Sequence, residues 1–480
     1  MTAASLIVVG ASLIVVGAGP ARAQPAIRDD HSPAVPQATS PNPSQKACDR
    51  HARIRLRIPE QTASSFWTGR YGWLDNPALL TSHLMVTGGF LAGRRTDSYK
   101  GLSLDGASQD ENSSSPPSLG GWVAVSGPTG RPGLTGLRAG IGFWEIGDQD
   151  VAYQGSSVIS RFLLSRLKRR EHVVTAALAW AGRSFSVGIA FQATLAEQQM
   201  AWKLWAGTDP QWPKADETFD LPMHLDLTDR FIPGASAGLA WQPTSRLQFQ
   251  LGFRWRGTGH LQGSVSSGLI AGRPDIPIQS GRASTLDPMQ FRGHLAALLR
   301  LGRVRLDLAF AVDNLARRQT VAKLGFKSAS GTLDSNPSGS DPSGSMSMDM
   351  PNQAVIPDAA MGGGVRIGGD TTAIVSILPN RLAIDVGIGV RGRVTGQDDP
   401  LDRAHPIVRA GLAILVHKGP VSAELGYSVA YGRIDADAAS WTSINPTGGP
   451  DLAGGLAGRT AVTHAAVMTI NWVFPEHLVR

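Results

Sequence analysis

The chain has 480 residues, 56 of them glycine, and 45 Lys and Arg against 38 Asp and Glu give it a formal charge of +7. A mean hydropathy of −0.06 excludes a bundle of membrane helices, whose apolar runs would lift the average well above zero. It does not exclude a transmembrane β-barrel, in which only every second residue of a strand must be apolar. The single Cys48 rules out an intrachain disulfide. The basic excess comes without zinc-ligand spacing, a basic helix or an aromatic-basic sheet motif, so nucleic acid is not an expected partner.

Residues 4–10 are repeated without change at 11–17, an apolar core of signal-peptide length, and Ala21-Arg22-Ala23 adds a small-x-small cleavage pattern. Residues 1–23 therefore read as a signal peptide, although no Lys or Arg precedes the core. Residues 24–50, rich in Pro, Ser and Asp, read as a disordered lead. Residues 51–82 show no clean period and bring Phe66, Trp67, Tyr71 and Trp73 close together. Such a compact aromatic segment, standing ahead of the first strand, is either a short cap or a plug.

From residue 83 onward the period is two. In Leu247-Gln-Phe-Gln-Leu-Gly-Phe-Arg-Trp-Arg256 every odd position is large and apolar, and every even one is polar or tiny. A strand that alternates in this way has one oily face and one wet face. Its length is about that of a tilted strand crossing a bilayer's hydrocarbon layer. The pattern recurs at 304–312, 382–390, 421–429 and 464–474, where the wet face carries Arg, Asp, Glu or Asn with many small residues. Polar and small side chains suit a watery lumen, which leaves the apolar face for lipid.

Connections alternate between short and long. Gly- or Pro-marked breaks at 181–183, 243–246, 301–303, 378–381 and 418–420 read as hairpin turns. Long polar connections run near 94–119, 148–170, 197–232, 258–288, 314–358, 395–405 and 433–459. Between them lie about fourteen strands: 83–93, 120–128, 137–147, 171–180, 184–196, 233–242, 247–257, 289–300, 304–313, 359–376, 382–394, 406–417, 421–432 and 460–474. An even number allows a sheet closed without edges. The expected fold is all-β, a transmembrane antiparallel β-barrel over 83–474 with residues 475–480 as a C-terminal extension. The expected location is the outer membrane of a Gram-negative bacterium.

Pro59-Glu-Gln-Thr-Ala-Ser64, followed by Asn76-Pro-Ala-Leu79 and then the first strand, resembles the N-terminal hatch of FadL-type outer-membrane transporters. The run Gly-x-x-Trp-Gln-Pro-Thr-Ser-Arg-Leu leading to 247–256, and the ending from His464 to Phe474, look like the same family. The resemblance implies a fourteen-stranded barrel plugged by its own N-terminus, which takes up long-chain fatty acids or other hydrophobic compounds. Its hatch would include Glu60, Gln61, Phe66, Trp67, Asn76, Pro77 and Ala78. The chain departs from the family in a shorter stretch between Ser65 and Asn76, in the residues ahead of the hatch that include Cys48, and in the run from Pro475 to Arg480. The implied partners are a hydrophobic small molecule, outer-membrane lipid and lipopolysaccharide, and the barrel-assembly machinery, which reads the terminal aromatic.

Two stretches are candidate sites. The connection 197–232 carries Met200, Trp202, Leu204, Trp205, Trp212 and Phe219 with Leu221, Met223 and Leu225. It is either a greasy capture site at the cell surface or a loop packed on itself or on the lipid interface. Gly140 and Gly142, beside Phe143 and Trp144, mark either a bend or room for a plug. In the family this strand would be the third, with a kink that opens sideways into the membrane. Ser345-Met-Ser-Met-Asp-Met350 reads as low-complexity loop rather than a copper site, and Asp398, Asp399 and Asp402 lack a calcium-loop spacing. No nucleophile elbow, paired-His motif or phosphate-cradling loop is present, so neither an enzyme nor a cofactor is expected. A hydrophobic-compound channel is the reading, with a general diffusion or carbohydrate-type porin as the alternative and a structural or adhesive barrel behind it.

Overall fold

The computed structural model describes residues 72–104, 107–114, 117–129, 136–152, 166–205, 220–271, 278, 280–315, 319–324, 354–357, 364–379, 381–394, 406–434 and 459–474. The expected signal peptide, the lead at 24–50, residues 51–71 and the extension at 475–480 lie outside them. So do the methionine run at 345–350 and the three aspartates near 400.

Two short 3-10 turns, Gly72–Leu74 and Pro77–Leu79, precede the sheet. The strands in chain order are β1 (Met85–Leu104), β2 (Ala107–Ser114), β3 (Ser118–Pro128), β4 (Leu137–Ala152), β5 (Arg166–Ala181), β6 (Phe185–Trp205) and β7 (Asp220–Trp241). Then come β8 (Leu247–Arg256), β9 (Gly259–Ser267), β10 (Ser280–Asp287), β11 (Gln290–Leu301), β12 (Val304–Leu315), β13 (Gln319–Leu324) and β14 (Ala354–Pro357). The last are β15 (Gly364–Leu378), β16 (Leu382–Val394), β17 (Ile407–Lys418), β18 (Val421–Ile434) and β19 (Arg459–Val473).

Fourteen of these strands form a closed antiparallel wall. The circuit runs β1, β3, β4, β5, β6, β7, β8, β11, β12, β15, β16, β17, β18 and β19, and β19 returns to β1 with Met85 opposite Val473. Phe474 N donates to Leu84 O at 2.8 Å and finishes the seam. Closure leaves no ladder edge facing lipid, where an unmade backbone bond would be costly. All fourteen expected strands are wall strands.

The alternation sets the faces. Leu251 and Phe253 are exposed on the outside while Gln250 and Gly252 are buried within. Likewise Val386 and Ile388 face out, with Asp385 and Gly387 inward. His464, on the apolar side of β19, is exposed there with its Nδ1 2.6 Å from the Tyr427 hydroxyl oxygen. Phe253→Arg should cost about 2–4 kcal/mol if that face meets the bilayer midplane. Equilibrium folding into phospholipid vesicles measures this, and an unchanged folding free energy would exclude lipid at Phe253.

Turns at one end are tight because their residues permit it. Gly302 (φ 59°) and Gly419 (φ 61°) take the left-handed conformation that two-residue hairpins need. At the other end the sequence reading needs correction. The connections expected at 94–119, 197–232 and 258–288 are in large part strand: upper β1 with β2, upper β6 and β7, and β9 with β10; the connection at 314–358 contains β13 and β14. β2 lies on the upper part of β1. A ribbon of β9, β10, β13 and β14 continues from the upper part of β7.

Upper β7 and β9 do not match a pattern of oily outer faces because their faces are reversed. Along β7, Leu221, Met223, Leu225 and Leu227 point inward, while His224, Asp226 and Thr228 are exposed outside. The switch occurs at a bulge: Thr194 faces Ile232 but Ala196 faces Asp229, so β7 uses more residues than β6 over the same step. An extra residue restores inward pointing at a new parity. Asp229 holds the bulge, accepting from Phe231 N at 3.0 Å and His260 N at 2.7 Å. Pro288 cannot donate to a ladder, and β10 gives way to β11 there. Across that break Asn314 replaces the missing bonds, accepting from Phe291 N and donating to Met289 O.

Candidate functional site

Residues 72–80 are buried inside the lower barrel. Trp73, Leu74 and Leu80 are fully buried, and Asp75, Asn76 and Ala78 nearly so. The segment is held by the wet faces of the wall strands. Leu74 O accepts from Gln192 Nε2 at 3.0 Å and Ser236 Oγ at 2.9 Å. Ser186 Oγ donates to Ala78 O at 2.9 Å, and Arg138 donates to Leu80 O at 2.5 Å. Asn76 accepts from Ala78 N at 3.2 Å, which caps the Pro77–Leu79 turn. Trp73 meets Trp144 edge-on at a centroid distance of 4.9 Å. Aromatic pairs prefer this geometry, and it contributes about 0.5–1.5 kcal/mol beyond area burial.

Glycines in the wall make the room. A Cβ on Gly188 would stand 2.5 Å from Pro77 C and 2.6 Å from Ala78 N, and one on Gly140 would meet Leu80 and Trp73. The ladder runs through Gly140 and Gly142 without interruption against both β3 and β5. The register of β4 shifts further along, between Gly147 and Gln149. A Cβ on Gly142 would meet the Trp144 ring. Beneath the segment, a cleft of about 80 Å³ opens among Leu79–His83, Arg138, Arg183 and Gln248.

Charges occupy the other half of the lumen. Asp75 lies 3.5 Å from Arg254 and 3.8 Å from Arg292. Asp313 meets Arg292 and Arg366 at 3.2 Å each, and Arg391 approaches Asp370 at 3.9 Å. The lumen thus carries the mark of a plugged path, an aromatic inside the barrel, together with that of a polar pore, Arg and Asp along the wall. They occupy different sectors, with Asp75 joining them.

Above the inner segment the interior turns apolar. Ala196, Met200, Leu221, Met223, Leu225, Leu227, Ile232, Leu261, Val265, Ile270 and Ala283 form one buried cluster. Burying apolar surface at about 25 cal/mol per Å² stabilises the projecting strands, whose outer faces are polar. A ring of four charges borders it. Arg169 contacts Glu171 at 2.8 Å and Asp287 at 2.5 Å; Arg256 contacts Asp287 at 2.5 Å and Glu171 at 3.4 Å. Arg169 also donates to Gln198 Oε1 at 3.2 Å. These four side chains are at most 8% exposed. The ring joins β5 to β8 and β10 across the lumen.

Of the candidate capture residues, Met200 is in the cluster. Trp202, Leu204 and Trp205 are in β6, and Trp212 and Phe219 lie outside the described residues. Of the hatch residues, Asn76, Pro77 and Ala78 are in the lumen, while Glu60, Gln61, Phe66 and Trp67 lie outside the described residues. Sequence reading missed the ring, because Arg169, Glu171, Arg256 and Asp287 are scattered along the chain with no shared motif. Their one signal was charge on the inward parity. Among the described residues no group of three His, Cys, Asp or Glu could hold a metal ion.

The closed fourteen-stranded antiparallel wall has the fold of FadL-type outer-membrane barrels. No protein-family model matches the chain, and no curated protein does. Among solved structures it is similar to a Pseudomonas aeruginosa FadL homologue, at 12% identity over 83% of this chain and 93% of that one, with a TM-score of 0.59. It is also similar to the P. putida toluene transporter TodX, at 10% identity over 83% and 92% with a TM-score of 0.56. The Ralstonia pickettii toluene transporter TbuX gives 12% identity over 84% and 93%, with a TM-score of 0.51. At such identities the likeness is one of fold.

Proposed function

We propose that this protein is an outer-membrane channel for passive uptake of hydrophobic small molecules. The ligand enters the apolar cluster of upper β6, β7, β9 and β10, and leaves downward once residues 72–80 move. The observation that carries this reading is the reversal of faces above the membrane wall. Upper β7 and β9, polar outside and apolar inside, give an oily molecule a sheltered place beyond the bilayer. Trp202, Leu204, Trp205, Trp212 and Phe219 belong to the proposed set of ligand-binding residues. Fatty acids and neutral hydrocarbons are both within this class. Passive transport needs no nucleotide, only movement down a gradient.

Cells carrying the protein should take up a hydrophobic probe faster than cells without it. Leu225→Arg places a charge within the cluster and should lower that rate at least tenfold, since a desolvated unpaired charge is strongly disfavoured. Equal uptake by the variant would sink the assignment of the cluster.

The burial of residues 72–80 inside the barrel favours a plugged path over an open diffusion porin. Planar-bilayer conductance of the full-length protein should be low, and removal of residues 24–80 should raise it. Large steady conductance in both would favour the porin instead.

A further inference from the structure

The ring of Arg169, Glu171, Arg256 and Asp287 bears on which hydrophobic molecules the apolar cluster accepts. This inference rests on the cluster being the ligand site, as proposed above. The ring closes on itself: each guanidinium contacts both carboxylates, and each carboxylate contacts both guanidiniums. Two positive charges face two negative ones, all four side chains withdrawn from water. Its position beside the cluster is fixed by register, with Gln198, which accepts from Arg169, opposite Leu227 of the cluster. On β9 and β10, Leu261 and Ala283 of the cluster lie a few residues from Asp287.

We infer that the cluster takes an uncharged hydrophobic molecule and rejects an ionised carboxylate, because the ring already commits both guanidiniums to internal carboxylates. A fatty-acid head arriving here would give up its hydration shell. It would find Arg169 hydrogen-bonded to Glu171, Asp287 and Gln198, and Arg256 ion-paired with the same two carboxylates. It would stand beside Glu171 and Asp287, whose like charge repels it more strongly at low dielectric. A hydroxyl, an ester or a bare hydrocarbon loses far less. Arg169 donates to Gln198, whose Nε2 lies 3.2 Å from the Met200 sulfur, so a neutral polar tip meets an amide rather than a charge.

The test compares 1-dodecanol, methyl dodecanoate and dodecanoate at pH 8 with the full-length protein in detergent, reading tryptophan fluorescence and calorimetry. The two neutral ligands should bind at least tenfold more tightly than dodecanoate. Glu171→Gln keeps a hydrogen-bonding amide but leaves the two guanidiniums one negative charge short, and should narrow that preference at least tenfold. Heat-modified gel migration checks that the variant barrel is folded; the wild-type comparison stands if it is not. Equal or tighter binding of dodecanoate by the wild type overturns the inference, as does an unchanged preference in folded Glu171→Gln. Binding of none of the three ligands instead defeats the assignment of the cluster as the ligand site.

Discussion

Gly188→Val should turn a nearly silent barrel into a steadily conducting one. The position faces inward on β6, and its missing side chain is the space taken by the backbone of Pro77 and Ala78. Backbone atoms 2.5 Å and 2.6 Å from an added Cβ cannot swing aside as a side-chain tip can. Either β6 or the inner segment must move, and β6 is fixed by ladders to β5 and β7. Overpacking of this kind costs about 1–3 kcal/mol, which changes the ratio of seated to displaced segment roughly 5- to 150-fold. Gly293→Ala is the matched control, because a Cβ there meets nothing within 4 Å. Single-channel recording in planar bilayers decides: conductance in Gly188→Val alone supports a displaceable plug. Silence in Gly188→Val with a folded barrel would mean that residues 72–80 do not gate the lumen.

Asp287→Ala should loosen the upper barrel while sparing the lower one. Asp287 is fully buried and sits at 2.5 Å from both Arg169 and Arg256. Its removal leaves Glu171 as the one carboxylate of the ring for two guanidiniums. Breaking a buried pair by deleting one partner typically costs about 3–5 kcal/mol, whereas replacing both partners by apolar groups of similar volume is often neutral or stabilising. Arg169→Met combined with Asp287→Leu should therefore recover most of the loss, since Glu171 and Arg256 remain together. Hydrogen exchange reads the effect by region: Asp287→Ala speeds exchange in β9 and β10 and leaves β16 to β18 unchanged. Uniform acceleration around the whole wall would show that the ring supports the entire barrel instead.

The sequence by itself determined the wall. A lipid-facing strand must place an apolar side chain at every second position, and closure lets no strand be omitted, so β8, β12, β16 and β18 could be read residue by residue. Tight turns were equally plain, because Gly302 and Gly419 stand where the chain must take positive φ. The Asn76-Pro-Ala turn was recognisable as a local motif, with its cap supplied two residues away.

Only the tertiary structure decided what fills the wall and what stands above it. Upper β7 and β9 have their oily residues inside, so their alternation carries the opposite sense and looks like a polar loop wherever lipid is expected outside. The bulge at Asp229–Phe231 then breaks the parity that would have linked upper β7 to its lower half. Gly140 and Gly188 were visible as glycines, but the backbone and side chains they admit come from far along the chain. The four charges of the ring lie on β5, β8 and β10, and they meet because closure folds those strands around one lumen. Period and turn chemistry are properties of neighbouring residues, whereas the interior of a barrel is a set of distances between residues about a hundred positions apart, as Arg169 and Asp287 are.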